Sequence, residues 1–180
     1  MVKLIPITVE GESTDGIVSR FINPGEFFFG DSNCQIHTIL GSCIAITLWH
    51  PFLTIGGMCH FVLPGTRAAG NEVHGDHGIN GRYGDSVMIL FAREAAKYGT
   101  KLNEYQAKIF GGSKMILNST MLKDELIGTK NTEVAIKLLA ERGIPLLVTH
   151  VGETGFRRIA FDVWSGDVWV KHTALQSVIS

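Results

Sequence analysis

Two short apolar runs on either side of a His50-Pro51 break constrain the fold of this chain more than any other feature. The first run covers residues 44–49 and the second residues 55–62, and both are rich in β-branched and aromatic side chains. Short runs of this composition around a turn-forming dipeptide are typical of β-strands. We therefore predict two adjacent strands in the first half of the chain.

The segment after the glycine-rich stretch at residues 65–84 has the periodicity of a helix. Between Val87 and Tyr98, apolar side chains recur at the three- and four-residue spacing of one helical face. Asp85 is the predicted N-terminal cap, and Gly99 lies just past the predicted end. The glycine-rich stretch itself is predicted to be the longest loop.

A second helix is predicted in the last third of the sequence. Asn131 or Thr132 is its predicted cap, and Gly143 marks its predicted end. The apolar residues that share one side are Val134, Ala135, Leu138 and Leu139. Residues 146–151 form its predicted companion strand.

Further strands complete the pattern. Residues 105–110 predict one strand, and the alternating apolar residues on either side of Ser165-Gly166-Asp167 predict a hairpin. Residues 1 to about 33 are predicted to form loops and one or two short strands. Strands that surround two main helices indicate a mixed α/β or α+β domain.

Composition limits the classes of protein to consider. With 180 residues and 45% apolar content, the chain can bury a sizeable core, so we predict a single domain over residues 1–180, with residues 1–20 peripheral. A formal charge of −1 argues against a nucleic-acid binder that uses a broad basic face. The apolar runs are too short to cross a membrane, and the chain does not begin with the charged and apolar segments of a secretory signal peptide. We therefore expect a soluble cytoplasmic protein. In that compartment the three cysteines are expected to be free thiols.

One of these thiols lies where the predicted strands can bring it to an imidazole. Cys43 follows Leu40-Gly41-Ser42 just before the first strand of the pair, and antiparallel pairing could place His60 of the second strand beside it. The imidazole can accept the proton of a thiol, whose ordinary pKa is about 8.5, and hold the thiolate as an ion pair. The glycine permits an unusual turn in which the amides near Ser42 and Cys43 point at a substrate carbonyl oxygen. The pattern therefore predicts a nucleophile suited to an acyl carbon.

Other interpretations of the cysteines stay open. Free cysteines are among the most buried residues, and Cys43 precedes an apolar strand, so composition alone favours an inert core thiol at this position. Cys59 is expected in the core, because neighbours in a strand face opposite ways and His60 takes the other face. Cys34 is a weaker candidate still.

A metal site is a third possibility. His74, Asp76 and His77 of the glycine-rich stretch, with Asp85 further on, carry metal-ligating groups, and a metal hydrolase could combine His60 with the two loop histidines. Two histidines in a loop are weak support, because catalytic zinc needs three rigidly held ligands. We expect no metal and no other cofactor.

Five groups of residues carry a family resemblance. They are Leu40-Gly41-Ser42-Cys43, GGMCHFVLP at residues 56–64, Arg82-Tyr83-Gly84-Asp85, Lys108-Ile109-Phe110-Gly111-Gly112, and a later group made of Ile127-Gly128, Asn131, Arg157, Phe161 and Ser165-Gly166. In this order and spacing, over about residues 20–171, they resemble the CheD family of chemoreceptor glutamine deamidases. One departure is Gly152-Glu153, where the family often has paired glycines.

The resemblance implies a layered α/β sandwich that hydrolyses glutamine side chains of methyl-accepting chemotaxis receptors to glutamate and ammonia. It implies Cys43 as the nucleophile, His60 as its base and an upstream threonine as the third member. The familiar spacing, six residues before the cysteine, falls on His37, whereas Thr38 is five before. We favour Thr38. A difference of one residue places a strand side chain on the opposite face, so Thr38 can take this role only if the turn at Leu40-Gly41 compensates for the difference.

The resemblance also implies partners. The substrate is expected to be the helical coiled coil of a receptor, which residues 65–84 could grip or cover, while Arg82 and Asp85 either share that role or anchor the helix start. A CheC-type phosphatase is a further implied partner, and neither nucleic acid nor membrane insertion is expected. The alternative function is a non-catalytic chemotaxis adaptor that binds a receptor or a CheC-type phosphatase, although binding alone needs neither Cys43 nor His60.

Overall fold

Two β-sheets and two helices make up the architecture of this chain. A computed structural model describes residues 16–65, 79–115 and 121–175, with side chains throughout except at residues 121–125. The strands are β1 Val18–Phe21, β2 Phe27–Gly30, β3 Cys34–Leu40, β4 Ile44–His50, β5 Ile55–Phe61, β6 Gln106–Gly111, β7 Leu146–Val151, β8 Phe156–Asp162 and β9 Val168–Thr173. The helices are α1 Gly84–Lys97 and α2 Met121–Glu141, with a short 3₁₀ helix at Leu102–Glu104.

The sheets are stacked, and the helices form a third layer. One sheet has the strand order β1-β3-β8-β9 and the other β2-β5-β4-β6-β7. Both are mixed, because β1 runs parallel to β3 and β6 parallel to β7 among otherwise antiparallel neighbours. One apolar cluster lies between the two sheets, and a second lies between the five-stranded sheet and the helices. The predicted layered α/β sandwich is confirmed.

The position of each strand in the layers explains its sequence pattern. β4 and β5 lie in the middle layer with core on both faces, so nearly all of their residues are buried and their apolar runs are continuous. β3 lies in the outer sheet and alternates between buried and more exposed residues. The predicted strand pair at residues 44–49 and 55–62 is confirmed as an antiparallel pair.

Other predicted elements also match. Residues 146–151 are β7, residues 105–110 correspond to β6, and the predicted hairpin is β8 and β9. The N-terminal region contains two short strands, β1 and β2, from residue 18 onward. Most of the predicted glycine-rich loop lies outside the described residues.

Both predicted helix caps are wrong. α1 begins at Gly84, the capping position is Tyr83, and Asp85 lies within the first turn, where its charge suits the helix dipole. A tertiary contact sets this start, because the Gly84 N–H donates to the Leu63 carbonyl at 3.0 Å. The predicted C-terminal glycine of the helix, Gly99, does follow its end.

The second helix begins ten residues before its predicted cap. α2 starts at Met121, so Asn131 and Thr132 lie in its interior. Asn131 is fully buried, and its amide bonds to other segments of the chain rather than to its own helix. Gly143, with a φ of 63°, follows the end of the helix as predicted.

Candidate active site

Cys43 lies where the chain passes from one sheet to the other. Gly41-Ser42-Cys43 is the whole connection between β3 of the outer sheet and β4 of the middle sheet. The Gly112 N–H donates to the Cys43 carbonyl at 2.9 Å, and the Ser113 N–H donates to the Gly41 carbonyl at 2.8 Å. At Gly111, with a φ of 110°, a Cβ would overlap the Cys43 carbonyl, so only glycine fits. The end of β6 therefore fixes the backbone that carries the thiol.

His60 shares a sheet face with Cys43. His60 of β5 pairs with Ala45 of β4, and Cys43 precedes Ala45 by two residues, so the two side chains are diagonal neighbours on one face. That face looks into the space between the sheets, where Cys43 packs against the inter-sheet cluster. The imidazole is 1% exposed, whereas the thiol is half-buried.

Thr38 reaches His60 from the opposite sheet. The Thr38 hydroxyl oxygen lies 2.8 Å from Nδ1 of His60 and 2.7 Å from the carbonyl oxygen of Ile22. A carbonyl can only accept, so the single hydroxyl proton is donated to Ile22 and Thr38 accepts from His60. Nδ1 of His60 therefore carries the ring proton, and Nε2 keeps a free lone pair.

The position of His37 separates it from this group. Inward-facing residues of β3 alternate with outward-facing ones, and Thr38 is buried on the inner face. His37 pairs with Ala160 on the outer face of the same sheet. Burial lowers the pKa of His37, against the opposing charge of Asp162. The crossover thus brings Thr38, and not His37, to the imidazole.

Burial dominates the electrostatics of the thiol and the imidazole. It raises the pKa of Cys43, and the Arg82 charge and the backbone N–H of Cys43 itself oppose that rise. It lowers the pKa of His60 to about 4, against the Ile22 carbonyl and the charge of Glu26. Both shifts favour neutral groups, so the resting site holds a thiol and a neutral imidazole rather than the ion pair expected from the sequence. Nε2 of His60 is buried and has no hydrogen-bond partner among the described residues.

The other two cysteines are core residues. Cys59 pairs with Ile46 and packs on the helix side of the middle sheet, and burial raises the pKa of its thiol to about 12. Cys34 is buried in β3, near the carboxylate of Asp31. All three cysteines are free, as predicted, and Cys43 is the most accessible of them.

A buried arginine supports the crossover, and sequence reasoning gave it no role. Arg157 of β8 is fully buried between the sheets. Its Nε donates to Nδ1 of His150 at 2.8 Å, and its Nη1 donates to the Ser113 hydroxyl. Since Ser113 also bonds to Gly41, this guanidinium links β8 to the segment that holds the crossover. The one sequence signal for Arg157 is its position in a family motif. No pattern of residues in the sequence predicts that it contacts Ser113 and His150.

Glu153 explains why paired glycines suit the turn before β8. Glu153 has a φ of 61°, in the left-handed region that glycine adopts without strain. Its carboxylate lies 2.9 Å from Nδ1 of His172 and 3.9 Å from Nη2 of Arg157. The departure from the family pattern therefore keeps the turn and adds a carboxylate near the buried arginine.

Most of the residues weighed as metal ligands lie outside the described residues. His74, Asp76 and His77 lie outside the described residues, and Asp85 lies in α1. Across residues 16–65, 79–115 and 121–175, no group of three or more His, Cys, Asp or Glu side chains could hold a metal ion. In the same ranges, no helix has the length and apolar character needed to span a membrane.

The fold and this side-chain group define a class of protein: a three-layer sandwich with a thiol, an imidazole and a hydroxyl at a crossover between two sheets. The family model for CheD, described as chemotactic sensory transduction, matches residues 62–172. The chain belongs to the CheD family.

Relatives extend the match beyond that range. The chain is 48% identical over 150 residues to a "Probable chemoreceptor glutamine deamidase CheD 3" of Dechloromonas aromatica, covering 83% of this chain and 85% of the relative. A protein of Chromobacterium violaceum with the same description, numbered CheD 1, is 39% identical over 153 residues, covering 85% and 77%. One from Pseudomonas savastanoi pv. phaseolicola is 37% identical over 164 residues, covering 91% and 89%.

Proposed function

We propose that this protein deamidates glutamine side chains of chemoreceptors, with Cys43 as the nucleophile, His60 as the general base and Thr38 as the residue that orients His60. The names of its relatives support the substrate class. The observation that carries the mechanism is the contact between the Thr38 hydroxyl and Nδ1 of His60, because it leaves the basic Nε2 on the face that Cys43 shares.

The first half of the reaction forms a thioester. Nε2 of His60 takes the thiol proton as the sulfur of Cys43 attacks the carboxamide carbon, and the carbonyl oxygen becomes an oxyanion. When that intermediate collapses, the bond from carbon to nitrogen breaks and the imidazolium returns the proton to the leaving nitrogen. Ammonia departs, and the former glutamine is bonded to the sulfur of Cys43.

The second half regenerates the thiol. Neutral His60 removes a proton from a water molecule that attacks the thioester carbon, and the bond from carbon to sulfur then breaks. The thiolate recovers the proton from His60, and the side chain leaves as a carboxylic acid that loses its proton to solvent water and becomes glutamate. Every proton is exchanged among the thiol, the imidazole, water and the substrate, so the cycle balances with no cofactor.

The resting protonation states match this sequence of steps. A base must be unprotonated to begin, and the lowered pKa of His60 keeps it neutral throughout the physiological range. The raised pKa of Cys43 keeps the thiol protonated until substrate binds. Proton transfer therefore accompanies attack on the carboxamide and does not precede it.

Ammonia release from a purified chemoreceptor cytoplasmic fragment tests the proposal, with mass spectrometry to locate each glutamine converted to glutamate. The wild type is expected to release ammonia, and Cys43→Ala is expected to fold normally and release none. Cys59→Ala is the matched control, because it removes a thiol on the opposite face of the same sheet. Continued release by Cys43→Ala would refute the assignment, and binding of the fragment without any turnover would favour the adaptor alternative.

A CheC-type phosphatase is the partner that the family implies, and we propose that it binds near the same site. In that case, adding the phosphatase is expected to change the rate of ammonia release. An unchanged rate with the phosphatase at saturation, in a complex verified by size-exclusion chromatography, would contradict a shared site.

A further inference from the structure

We propose that Asn131 is a positioning residue that preorganises an oxyanion-binding site made of the backbone amides of Ser42 and Cys43. This inference rests on the proposed function, and it adds a role for a residue in the middle of α2, remote from the thiol in sequence. Hydrogen bonds from its side chain tie the helix to the crossover.

Asn131 holds both strand ends that carry the reacting side chains. Its Nδ2 donates to the Ser42 carbonyl at 3.2 Å and to the Val62 carbonyl at 2.9 Å. Ser42 immediately precedes Cys43, and Val62 follows His60 by two residues. One buried carboxamide therefore ties the start of β4 and the end of β5 to the same point on α2.

The bond to Ser42 also sets the direction of an amide. In a trans peptide the carbonyl and the following N–H point in opposite directions. The Ser42 carbonyl points toward α2, on the helix side of the middle sheet. The Cys43 N–H of the same peptide consequently points to the other side, into the space between the sheets that holds the His60 ring. That N–H belongs to the residue that carries the sulfur, so it lies beside the thiol.

A neighbouring peptide provides the second amide. The Gly41 carbonyl accepts from the Ser113 N–H at 2.8 Å, so the Ser42 N–H points away from Ser113. Within the described ranges, neither the Ser42 N–H nor the Cys43 N–H donates to an oxygen atom. Two free amide donors beside a nucleophile are what an incoming carbonyl oxygen needs as it gains negative charge.

The cost of burying Asn131 argues that the contact is specific. Asn131 is 0% exposed in the middle of a helix, where a polar side chain is unfavourable unless it is hydrogen-bonded. Its Oδ1 has no partner among the described residues, so the amide is retained despite one unmet acceptor. The hydroxyl of the neighbouring Thr132 donates to the Gly128 carbonyl of its own helix at 2.9 Å, and Thr132 offers a control at the next position.

The test compares Asn131→Leu with Thr132→Val, each a polar residue replaced by an apolar one of similar shape. Two rates are measured on each folded variant: kcat and KM for deamidation of a chemoreceptor fragment, and the rate at which methyl methanethiosulfonate modifies Cys43. The second reaction takes place at a sulfur atom and passes through no tetrahedral oxyanion on a carbonyl carbon. It therefore reports the accessibility and basicity of the thiol and does not depend on stabilisation of a carbonyl oxyanion.

For Asn131→Leu we expect kcat to fall by between about 10-fold and 10³-fold, since one oxyanion donor contributes about 10²–10³-fold, with KM within about twofold. Modification by methyl methanethiosulfonate should stay within about twofold of the wild type, and Thr132→Val should change neither rate.

If Asn131→Leu does not fold, Asn131→Ala is the second variant, with the same two rates measured and the same results expected. An unchanged kcat would overturn the proposal, and so would an equal fall in both rates, which would mean that the thiol itself had moved. The comparison of wild type with Cys43→Ala tests the deamidase activity itself. The Asn131 variants therefore test only the role of Asn131.

Discussion

The Thr38 hydroxyl and Nδ1 of His60 lie 2.8 Å apart, although the two residues belong to different sheets. Because Thr38 gives its only proton to the Ile22 carbonyl, this one contact determines the tautomer of the imidazole. It also gives the buried Nδ1–H of His60 a partner in the space between the sheets. The chemical readiness of His60 thus depends on how the two sheets are stacked.

Replacing the Thr38 hydroxyl tests this dependence. Thr38→Val keeps the shape but leaves the buried Nδ1–H without its acceptor, and we expect a loss of about 1–3 kcal/mol in the free energy of unfolding. We also expect kcat to fall by about 10- to 10²-fold, far less than the loss caused by Cys43→Ala. Thr38→Ser, which keeps the hydroxyl, should retain most of the activity. Denaturant titration and ammonia release measure the two effects, and a Val variant as active as the Ser variant would show that the hydroxyl does not orient His60.

Protonation of His60 should make the protein less stable in acid. The pKa of His60 is about 4 in the folded state against 6.5 for a free imidazole, so between these values the unfolded state binds the additional proton. The contribution of His60 to stability is complete above pH 6.5 and decreases as the pH falls toward 4, by on the order of 3 kcal/mol. Denaturant unfolding of the wild type and of His60→Gln across this range isolates the effect, because His37 and His150 contribute equally to both proteins. If the free energies of unfolding of wild type and His60→Gln depend on pH in the same way, the pKa of His60 is not lowered.

Arg82 is expected to promote ionisation of Cys43. Its charge opposes the effect of burial, so Arg82→Gln should raise the pKa of the thiol further and lower the thiolate fraction near neutral pH. Arg82 is exposed, so we expect a decrease of up to about fivefold in the rate of thiol modification, with the pH profile displaced upward. Arg82→Lys keeps the charge and should react like the wild type. Salt at 0.5 M should reduce the difference in modification rate between wild type and Arg82→Gln. If it does not, the effect of Arg82 on the thiol is not electrostatic.

Two adjacent arginines offer a matched test of the support for the crossover. Arg157 is buried and bonds to Ser113 and His150, whereas Arg158 is exposed on the outer face of β8. Arg157→Met leaves buried partners without a donor, and it should lower the free energy of unfolding by about 2–4 kcal/mol. Arg158→Met removes the same charge and should change it by less than about 0.5 kcal/mol. Equal effects from the two substitutions would show that the buried contacts contribute no stability.

Local patterns predicted the strands better than the helix starts. β4, β5 and β7 follow from apolar composition and nearby breaks, because a strand in a sandwich is specified largely by which of its faces are buried. The predicted cap of α1 is wrong because a contact from a distant segment sets the start of that helix, and the predicted cap of α2 is wrong because Asn131 lies inside the helix and bonds to distant segments. Gly84 bonds to Leu63, and Asn131 bonds to the crossover when it could have capped a helix. A cap prediction considers only neighbours in the sequence, and these partners lie elsewhere.

The sequence by itself determined which chemical groups are available: a thiol after a glycine-containing turn, an imidazole in the adjoining strand, and two candidates, His37 and Thr38, for the residue that orients it. Only the tertiary structure brought Thr38, and not His37, within hydrogen-bond distance of the imidazole, favoured the neutral forms of Cys43 and His60, and attached the crossover to Asn131 and Arg157. The physical reason is that strand pairing follows a local alternation of faces. Hydrogen bonds between sheets, and the burial that shifts a pKa, depend on how distant segments pack.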